Sequence, residues 1–386
     1  MNLVAILMLT GDRLKYLGLV AGLAFTTLMI TQQASILRGM ASQTGAFIRD
    51  TGQADLWVMD PQVEFSEDGK PLQDTAIYRV RGVEGVEWAV PVYKNWLKAQ
   101  LPDGRKFTVI VVGLDDATLV GAPPEMIQGR LEDLRQDKAI FIEARDSTTK
   151  LILEKGQFKN NPRGLQVGDR ISINDHELRV AGTMKLSKSF FWDPVMYTTY
   201  SRALSFAPPE RRLLNYVLVK VRPGYDHKQV AASIERATGL HTQTGPEFEK
   251  TTMMYILGKT GILINFGLAV GLGVLIGLLV AGQTLYAFTL DNLKQFGALK
   301  AMGAGNWLIV RMMVVQVLIV ALLGFGIGLG AAALMGKAIL ATDLAFLMTW
   351  EIIGICGVAL LLICLVAGLA SILKVLRLEP VVVFKT

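Results

Sequence analysis

Four stretches of this chain carry no charged residue and are each long enough to cross a lipid bilayer: residues 16–37, 260–290, 312–336 and 352–373, of 22, 31, 25 and 22 residues. A helix needs about 20 apolar residues to cross a hydrocarbon core ~30 Å thick, and no other part of the sequence comes close. Backbone N–H and C=O groups inside that core must be paired within the structure itself, so the four runs are read as transmembrane helices. Composition agrees, with 52% hydrophobic and only 19% charged residues, against about 25% charged in an ordinary soluble domain.

The first run exceeds the ~7–15 residues of a secretory h-region and closes on Thr31-Gln32-Gln33 without a small-residue cleavage site, so it is expected to stay as an anchor. Lys and Arg in short flanks favour the cytoplasm. Arg13 and Lys15, then Lys294, Lys300 and Arg311, then Lys374, Arg377 and Lys385 mark three such flanks, whereas the link between the third and fourth runs holds only Lys337. Both termini and the second-to-third loop are therefore expected inside, and one large domain outside. The outer stretch holds 30 basic and 28 acidic residues and the rest nine and five, so the net charge of +6 reflects membrane orientation and needs no nucleic-acid surface. Both cysteines, Cys356 and Cys364, lie in the last run; the outer domain must be stable without disulfides.

The chain divides into a cytoplasmic or interfacial segment (1–15), a first span (16–37), the outer domain (38–259), a second span with a stalk (260–287), a cytoplasmic loop (288–307), third and fourth spans (308–336 and 350–373) and a cytoplasmic tail (374–386). Residues 2–10 are apolar but too short to span; they suit either a helix in the interface or an extension of the first span. The second run would make about 46 Å of helix at ~1.5 Å per residue, an excess that either strong tilt or projection past the membrane would absorb; residues 253–257 continue its apolar pattern upstream, which favours a helix rising into the outer domain as a stalk. Within that domain, strands are expected at 88–101 and 106–114 around Pro102-Asp103-Gly104, and a hairpin at 170–182 turning on Asn174-Asp175. Residues 125–136 read as a helix and 139–143 as a strand. Residues 215–221, 226–238 and 241–244 read as a strand–helix–strand unit.

Little here can carry catalysis. The histidines His176, His227 and His241 stand apart from any ligand pair, and no metal centre is expected. Gly258-Lys259-Thr260 imitates the end of a phosphate loop, but Met253 stands where the required glycine would be. The four runs lack the intramembrane ionisable residues of an ion-coupled carrier, so any work must be driven by another chain. Glycines recur at four-residue spacing, Gly267/Gly271 and Gly273/Gly277 in the second run, Gly324/Gly328 and Gly326/Gly330 in the third. That spacing lets helices approach closely, either within one bundle or between subunits.

The most informative stretch is the loop AFTLDNLKQFGALKAMGAG, residues 287–305. Leu293, Phe296, Leu299 and Met302 recur at helical spacing, and Gly303 and Gly305 end the helix. Such a helix between two spans serves either as a docking element or as a segment resting on lipid. Its core resembles the loop signature of FtsX/MacB-type ABC transporter permeases through Lys294, Gly297, Leu299, Lys300, Ala301, Gly303 and Ala304. Gln295 stands where the family usually has an acidic residue, with Asp291 nearby as a substitute. Residues 165–184 are similar to a hairpin of the MacB-like periplasmic core domain, and residues 10–25 resemble the DevC-like branch. The order of one span, an outer domain and three spans is the family's own.

The resemblance implies a membrane α-helical fold with an α+β outer domain, and a permease subunit that binds no cofactor. ATP and Mg²⁺ would be held by a cognate ABC ATPase docked on a coupling helix formed by Asp291, Lys294, Gln295, Phe296, Gly297, Leu299, Lys300, Gly303 and Ala304, with Phe296 and Leu299 giving apolar contact. It further implies a homodimer in the bacterial cytoplasmic membrane, a periplasmic membrane-fusion adaptor as a partner, and export driven by motion passed to the outer domain. An FtsX-like subunit that signals to an outer enzyme without transporting is the alternative; a membrane-anchored enzyme is disfavoured by the missing catalytic groups. Reporter fusions are expected to place Pro61 and Gly104 outside and Gly303 and Thr386 inside; Gly303 outside would overturn the topology.

Overall fold

The computed structural model describes residues 2–208, 214–340, 342 and 344–376; the end of the expected tail, 377–386, lies outside the described residues. The chain forms two compact units, Met1–Met40 with Gly261–Thr386, and Ala41–Thr260. It opens with helices α1 (Asn2–Gly11) and α2 (Arg13–Thr44). The outer unit runs α3 (Ala46–Asp50), β1 (Leu56–Met59), α4 (Ala76–Arg81), β2 (Val86–Gln100), β3 (Lys106–Leu114), β4 (Glu125–Gln128), β5 (Ala139–Glu143), α5 (Ala144–Thr149), β6 (Ile152–Leu153), β7 (Arg163–Gly164), β8 (Arg170–Ile173), β9 (His176–Lys185), β10 (Val195–Thr199), α6 (Tyr200–Phe206), β11 (Tyr216–Val221), α7 (His227–Thr238), β12 (His241–Thr244) and α8 (Gly245–Lys259). Then come α9 (Ile262–Asp291), α10 (Leu293–Ala301), α11 (Asn306–Leu340) and α12 (Trp350–Leu376).

Helices α2, α9, α11 and α12 are each long and apolar enough to cross a membrane, and they fall on the four charge-free runs. The N-terminal segment is a helix of its own. Asp12 separates it from α2, accepting from the Lys15 N–H at 3.2 Å and, through its carbonyl, from the Tyr16 N–H at 3.0 Å, as an N-cap does. Leu9 joins Leu19 and Leu23 of α2, Ala281 and Leu285 of α9, Val317 and Val320 of α11 and Leu360 and Ala367 of α12 in one core. The link into α12 folds back on the bundle: the Leu347 N–H donates to the Ser35 carbonyl at 2.9 Å, and the Phe346 ring fills the space a side chain at Gly336 would need. Upstream of the second span, where a stalk is expected, the chain is helical but interrupted: α8 ends at Lys259 and α9 begins at Ile262, with Gly261 between them at φ +71°. A left-handed residue stops a helix, and glycine takes that conformation without a steric penalty.

In the outer unit ten strands form one sheet, ordered β12-β1-β11-β2-β3-β10-β5-β9-β4, with β8 pairing both β2 and β9; β6 and β7 make a separate ribbon. The two expected hairpins are β2–β3 and β8–β9. Asn174 and Asp175 have φ of 45° and 68°, the pair of left-handed residues that a two-residue hairpin turn with the right twist requires. The strand–helix–strand unit is β11–α7–β12, and β1 lies antiparallel between its two strands, so they run parallel with a strand inserted. Asp226 caps α7 by accepting from the Gln229 N–H at 3.1 Å. The expected helix at 125–136 is absent. Its first part is β4, paired with β9, then Gly129 turns at φ +82° and Leu131–Arg135 form a short 3-10 turn. Cross-strand bonding to Met184 and Lys185 overrides a sequence whose local preference is helical.

One buried cluster gives the outer unit a pH dependence. Glu143 and Asp146, only 6% and 1% exposed, meet where β5 passes into α5; Arg145 lies 3.5 Å from Glu143 and Lys150 2.9 Å from Asp146. Burial, then the neighbouring Asp146 carboxylate, push Glu143 up to about 8. The folded state therefore keeps a proton that the unfolded chain releases near its ordinary value of 4.5. This contribution to stability is full below that value and is lost as pH rises towards 8. Glu143→Gln is expected to flatten the fall in melting temperature between pH 5 and pH 8 and to raise it at pH 8 by a few degrees, at about 2–4 °C per kcal/mol for a domain of this size. Thermal unfolding of the purified full chain, followed by near-UV circular dichroism at both pH values, checks this.

Candidate functional site

The segment joining α9 to α11 is built by its caps. Asn292 breaks the first helix, its side-chain amide donating to the Phe288 carbonyl at 2.8 Å while its own carbonyl accepts from the Phe296 N–H at 3.0 Å. At the other end the Ala304 N–H bonds the Leu299 carbonyl at 2.9 Å and the Gly303 N–H the Lys300 carbonyl at 3.0 Å, with Gly303 at φ +91°. That pair of reversed bonds around a left-handed glycine is a Schellman cap. The Gly305 carbonyl then accepts from Leu308 at 3.0 Å and starts α11. Ala304 lies half-buried between the two glycines.

One face of α10 is bound to its own chain. Phe296 is fully buried among Ile309 and Met313 of α11 and Val375 of α12, with Met8 of α1 and Ile372 packed around it. Gly297 is buried beside it. Lys300 Nζ donates to the Val375 carbonyl at 3.0 Å, in the last turn of α12, where the helix dipole favours a cation. Asp291 is ion-paired with Lys15, which also lies 3.3 Å from Asp12. The opposite face is open: Lys294 and Gln295 are exposed, Met302 is 75% exposed and Trp307, just beyond, 79%. Leu299 is half-buried.

This corrects the expectation for Phe296. It fills a socket within its own chain, so its ring is not exposed on the surface of this chain. Met302, at the C-terminal cap of α10, is exposed where Phe296 is buried, so two members of one apolar repeat have opposite surroundings. Sequence periodicity singled out Met302 only as a member of that repeat, and gave no signal for Trp307 or for the Lys15–Asp291 pair.

The glycine pairs also divide. A side chain at Gly277 would meet Thr26 at 2.6 Å, one at Gly324 would meet Leu23 at 2.7 Å, and one at Gly328 would strike the Ala24 carbonyl; Gly273 lies against Met29. These four bring α9 and α11 onto α2. Around Gly267, Gly271, Gly326 and Gly330 there is open space. The histidines stay apart: His176 opens β9, His227 opens α7, and His241 in β12 lies 2.9 Å from Glu235. Among the described residues no group of three or more His, Cys, Asp or Glu converges on a metal-sized site.

Comparison with known proteins gives two family matches, a MacB-like periplasmic core domain over residues 16–237 and an FtsX-like permease C-terminal region over residues 253–380. A curated relative described as an uncharacterized ABC transporter permease of Methanocaldococcus jannaschii is 28% identical over 204 residues, 50% of each chain; the chain thus spans about half the length of that relative. Among solved structures, the periplasmic region of MacB from Actinobacillus actinomycetemcomitans is 14% identical, with a TM-score of 0.36, over 53% of this chain and 94% of that one. The extracellular domain of the noncanonic ABC-type transporter YknZ from Gram-positive bacteria is 15% identical, with a TM-score of 0.34, over 50% and 98%.

The socket makes Phe296 a structural residue. Phe296→Ala is expected to lose about 3–5 kcal/mol, as aromatic-to-alanine changes in packed cores do, whereas Met302→Ala stays within about 0.5 kcal/mol of the parent, as exposed changes do. Thermal unfolding of the two variants in the same detergent distinguishes them.

Proposed function

This chain belongs to the FtsX/MacB-type family of ABC transporter permeases, and from that premise we propose that it is the membrane subunit through which a separate ATPase drives movement of the outer domain. The observation that carries the proposal is the two-faced helix α10. Its inner face is locked to α1, α11 and α12 through Phe296 and Lys300, so a push on the helix is delivered to the spans. Its outer face, with Lys294 and Gln295, is free to take a partner, as are the exposed residues just past its end, Met302 at the cap and Trp307 in the first turn of α11. A helix merely resting on lipid has no need of the Schellman stop and the socket together.

ATP and Mg²⁺ then belong to the ATPase, and substrate is extruded from the outer side of a cytoplasmic membrane. The bundle supports this division, because its spans carry no charged relay of their own. Two copies complete the unit, with the open Gly267/Gly271 face of α9 supporting a close helix contact between subunits. A membrane-fusion adaptor is the expected further partner on the outer side.

Docking is tested by co-purification. Burying a side chain such as Met302 contributes ~1.5–3 kcal/mol, so Met302→Asp is expected to weaken recovery of the cognate ATPase about tenfold or more while leaving the chain in the membrane at parental levels. Equal recovery with the parent and with Met302→Asp would sink the coupling assignment. The purified chain alone is expected to hydrolyse no ATP; hydrolysis by a clean preparation, abolished at Lys259, would overturn the division of labour.

A further inference from the structure

Helix α11 carries a single side chain able to donate a hydrogen bond within its charge-free run 312–336, that of Gln316, and it is directed at α1. Gln316 is only 3% exposed, and its Nε2 donates to the Ala5 carbonyl at 2.8 Å. Ala5 is itself fully buried. An amide buried in an apolar bundle is unfavourable unless it is paired, and pairing across helices ties the two together. An apolar residue at position 316 would bury as well without choosing a place along α1. The amide chooses one, as single buried polar residues fix register in coiled coils.

What that register holds in place is the socket of α10. Along α11, Ile309, Met313 and Gln316 follow at spacings of four and three, which is one face of a helix. The first two wall the Phe296 socket and the third holds α1. Along α1, Ala5, Met8 and Leu9 share the inward face: Ala5 takes the Gln316 bond, Met8 packs on the Phe296 socket and Leu9 enters the bundle core. The other face is open, with Ile6 and Leu7 37% and 61% exposed, and Thr10 Oγ1 turns back on its own helix to the Ile6 carbonyl at 3.1 Å. At 10 residues, α1 is shorter than the ~12–15 at which an isolated helix is even marginal in water. It depends on its inward face, and Met8 reaches the socket only while α1 is seated. The corner that follows bears on the same segment again: Lys15, beside Asp12, pairs with Asp291 at the end of α9.

We propose that Gln316 is a positioning residue for coupling: by holding Ala5 it keeps Met8 on the Phe296 socket, so that α1 braces α10 against a push from a docked partner. The brace presupposes the docking reading of α10 and supplies the stiffness that reading needs. Its loss leaves the exposed residues of α10 in place, so a partner still binds; what falls is the transmission of its stroke.

Hydrogen exchange on the full chain in nanodiscs, without any ATPase, reads the brace directly. Gln316→Met keeps the volume and removes the N–H donor. It is expected to speed exchange in both α1 and α10 about threefold or more, the size of one interhelical hydrogen bond, with β2 and β3 of the outer unit unchanged. Met8→Ala keeps the Gln316 bond and is expected to speed α10 alone, which gives the α10 measurement a second variant should Gln316→Met fail to fold. With the cognate ATPase added, recovery with Gln316→Met is expected at the parental level while the hydrolysis stimulated by the chain falls about threefold or more. Parental exchange in α10 would overturn the proposal. So would an equal rise through the whole chain, which marks general loss of stability, and so would full stimulation despite faster exchange in α10. The docking reading fails separately, on equal ATPase recovery with Met302→Asp, and the exchange result is read without it.

Discussion

The membrane unit depends on how closely helices α9 and α11 approach helix α2. Lipid tails are as apolar as leucine, so spans gain little by hiding hydrophobic surface from one another and associate through van der Waals contact and small residues. Gly277 against Thr26, Gly324 against Leu23 and Gly328 against the Ala24 backbone all converge on one turn of the first span, residues 23–26, and Gly22 receives Val280 in return. No β-carbon fits at these points without moving backbone or branched side chains. Thr26 and Thr27 remain compatible because each hydroxyl donates to its own helix, to the Gly22 and Leu23 carbonyls at 2.9 Å. With α9 and α11 both fixed on α2, the short helix between them has its two ends set. The Phe296 socket then removes its remaining freedom.

The outer unit is organised around the strand that follows the first span. All four residues of β1 are buried, and they pair with β11 on one side and β12 on the other. Trp57 of this strand meets Phe47, Tyr216 and Phe248 within 5.5–5.7 Å, drawing α3, β11 and α8 to one point. The capping box at Thr244 and Glu247 starts α8 directly from β12, so the segment that follows α2 and the one that leads to α9 are built on neighbouring strands. Past α8 the helix does not run on: Gly261, at φ +71°, ends it before α9 begins.

Much of this was legible in sequence, and the failures share a cause. Spans follow from charge-free length, and the turns at Pro102-Asp103-Gly104 and Asn174-Asp175 follow from residues that favour left-handed or fixed φ, both local properties. Residues 125–136 misled because Glu, Met, Leu, Arg and Gln favour helix, while the deciding bonds come from β9, some sixty residues on. The break at Gly261 was not legible because that glycine sits inside an apolar run, where hydropathy does not distinguish a glycine that packs from one that turns. Phe296 misled because periodicity shows that a face is apolar without saying whether its own chain or another protein covers it. The glycine pairs show the same limit: spacing marked all eight residues alike, and only neighbouring helices separate the four in contact with α2 from the four in open space.

The neutral Gln295 bears on how a partner would be held. Asp291 was the nearby carboxylate available to replace the family's acidic residue, but it is already paired with Lys15, which also serves Asp12. Both side chains are about half exposed, and exposed ion pairs add little to stability, so the pairing does not forbid exchange. It does mean that Asp291 must release one cation to take another, for little net gain. Lys300 is likewise committed to the end of α12. The open face of α10 is left with one cation, Lys294, and an amide at Gln295, beside the exposed apolar side chains of Met302 at its cap and Trp307 in the first turn of α11. On this geometry the proposed docking draws its strength from apolar burial more than from charge, and the complex should tolerate salt better than one built around an acidic residue at position 295.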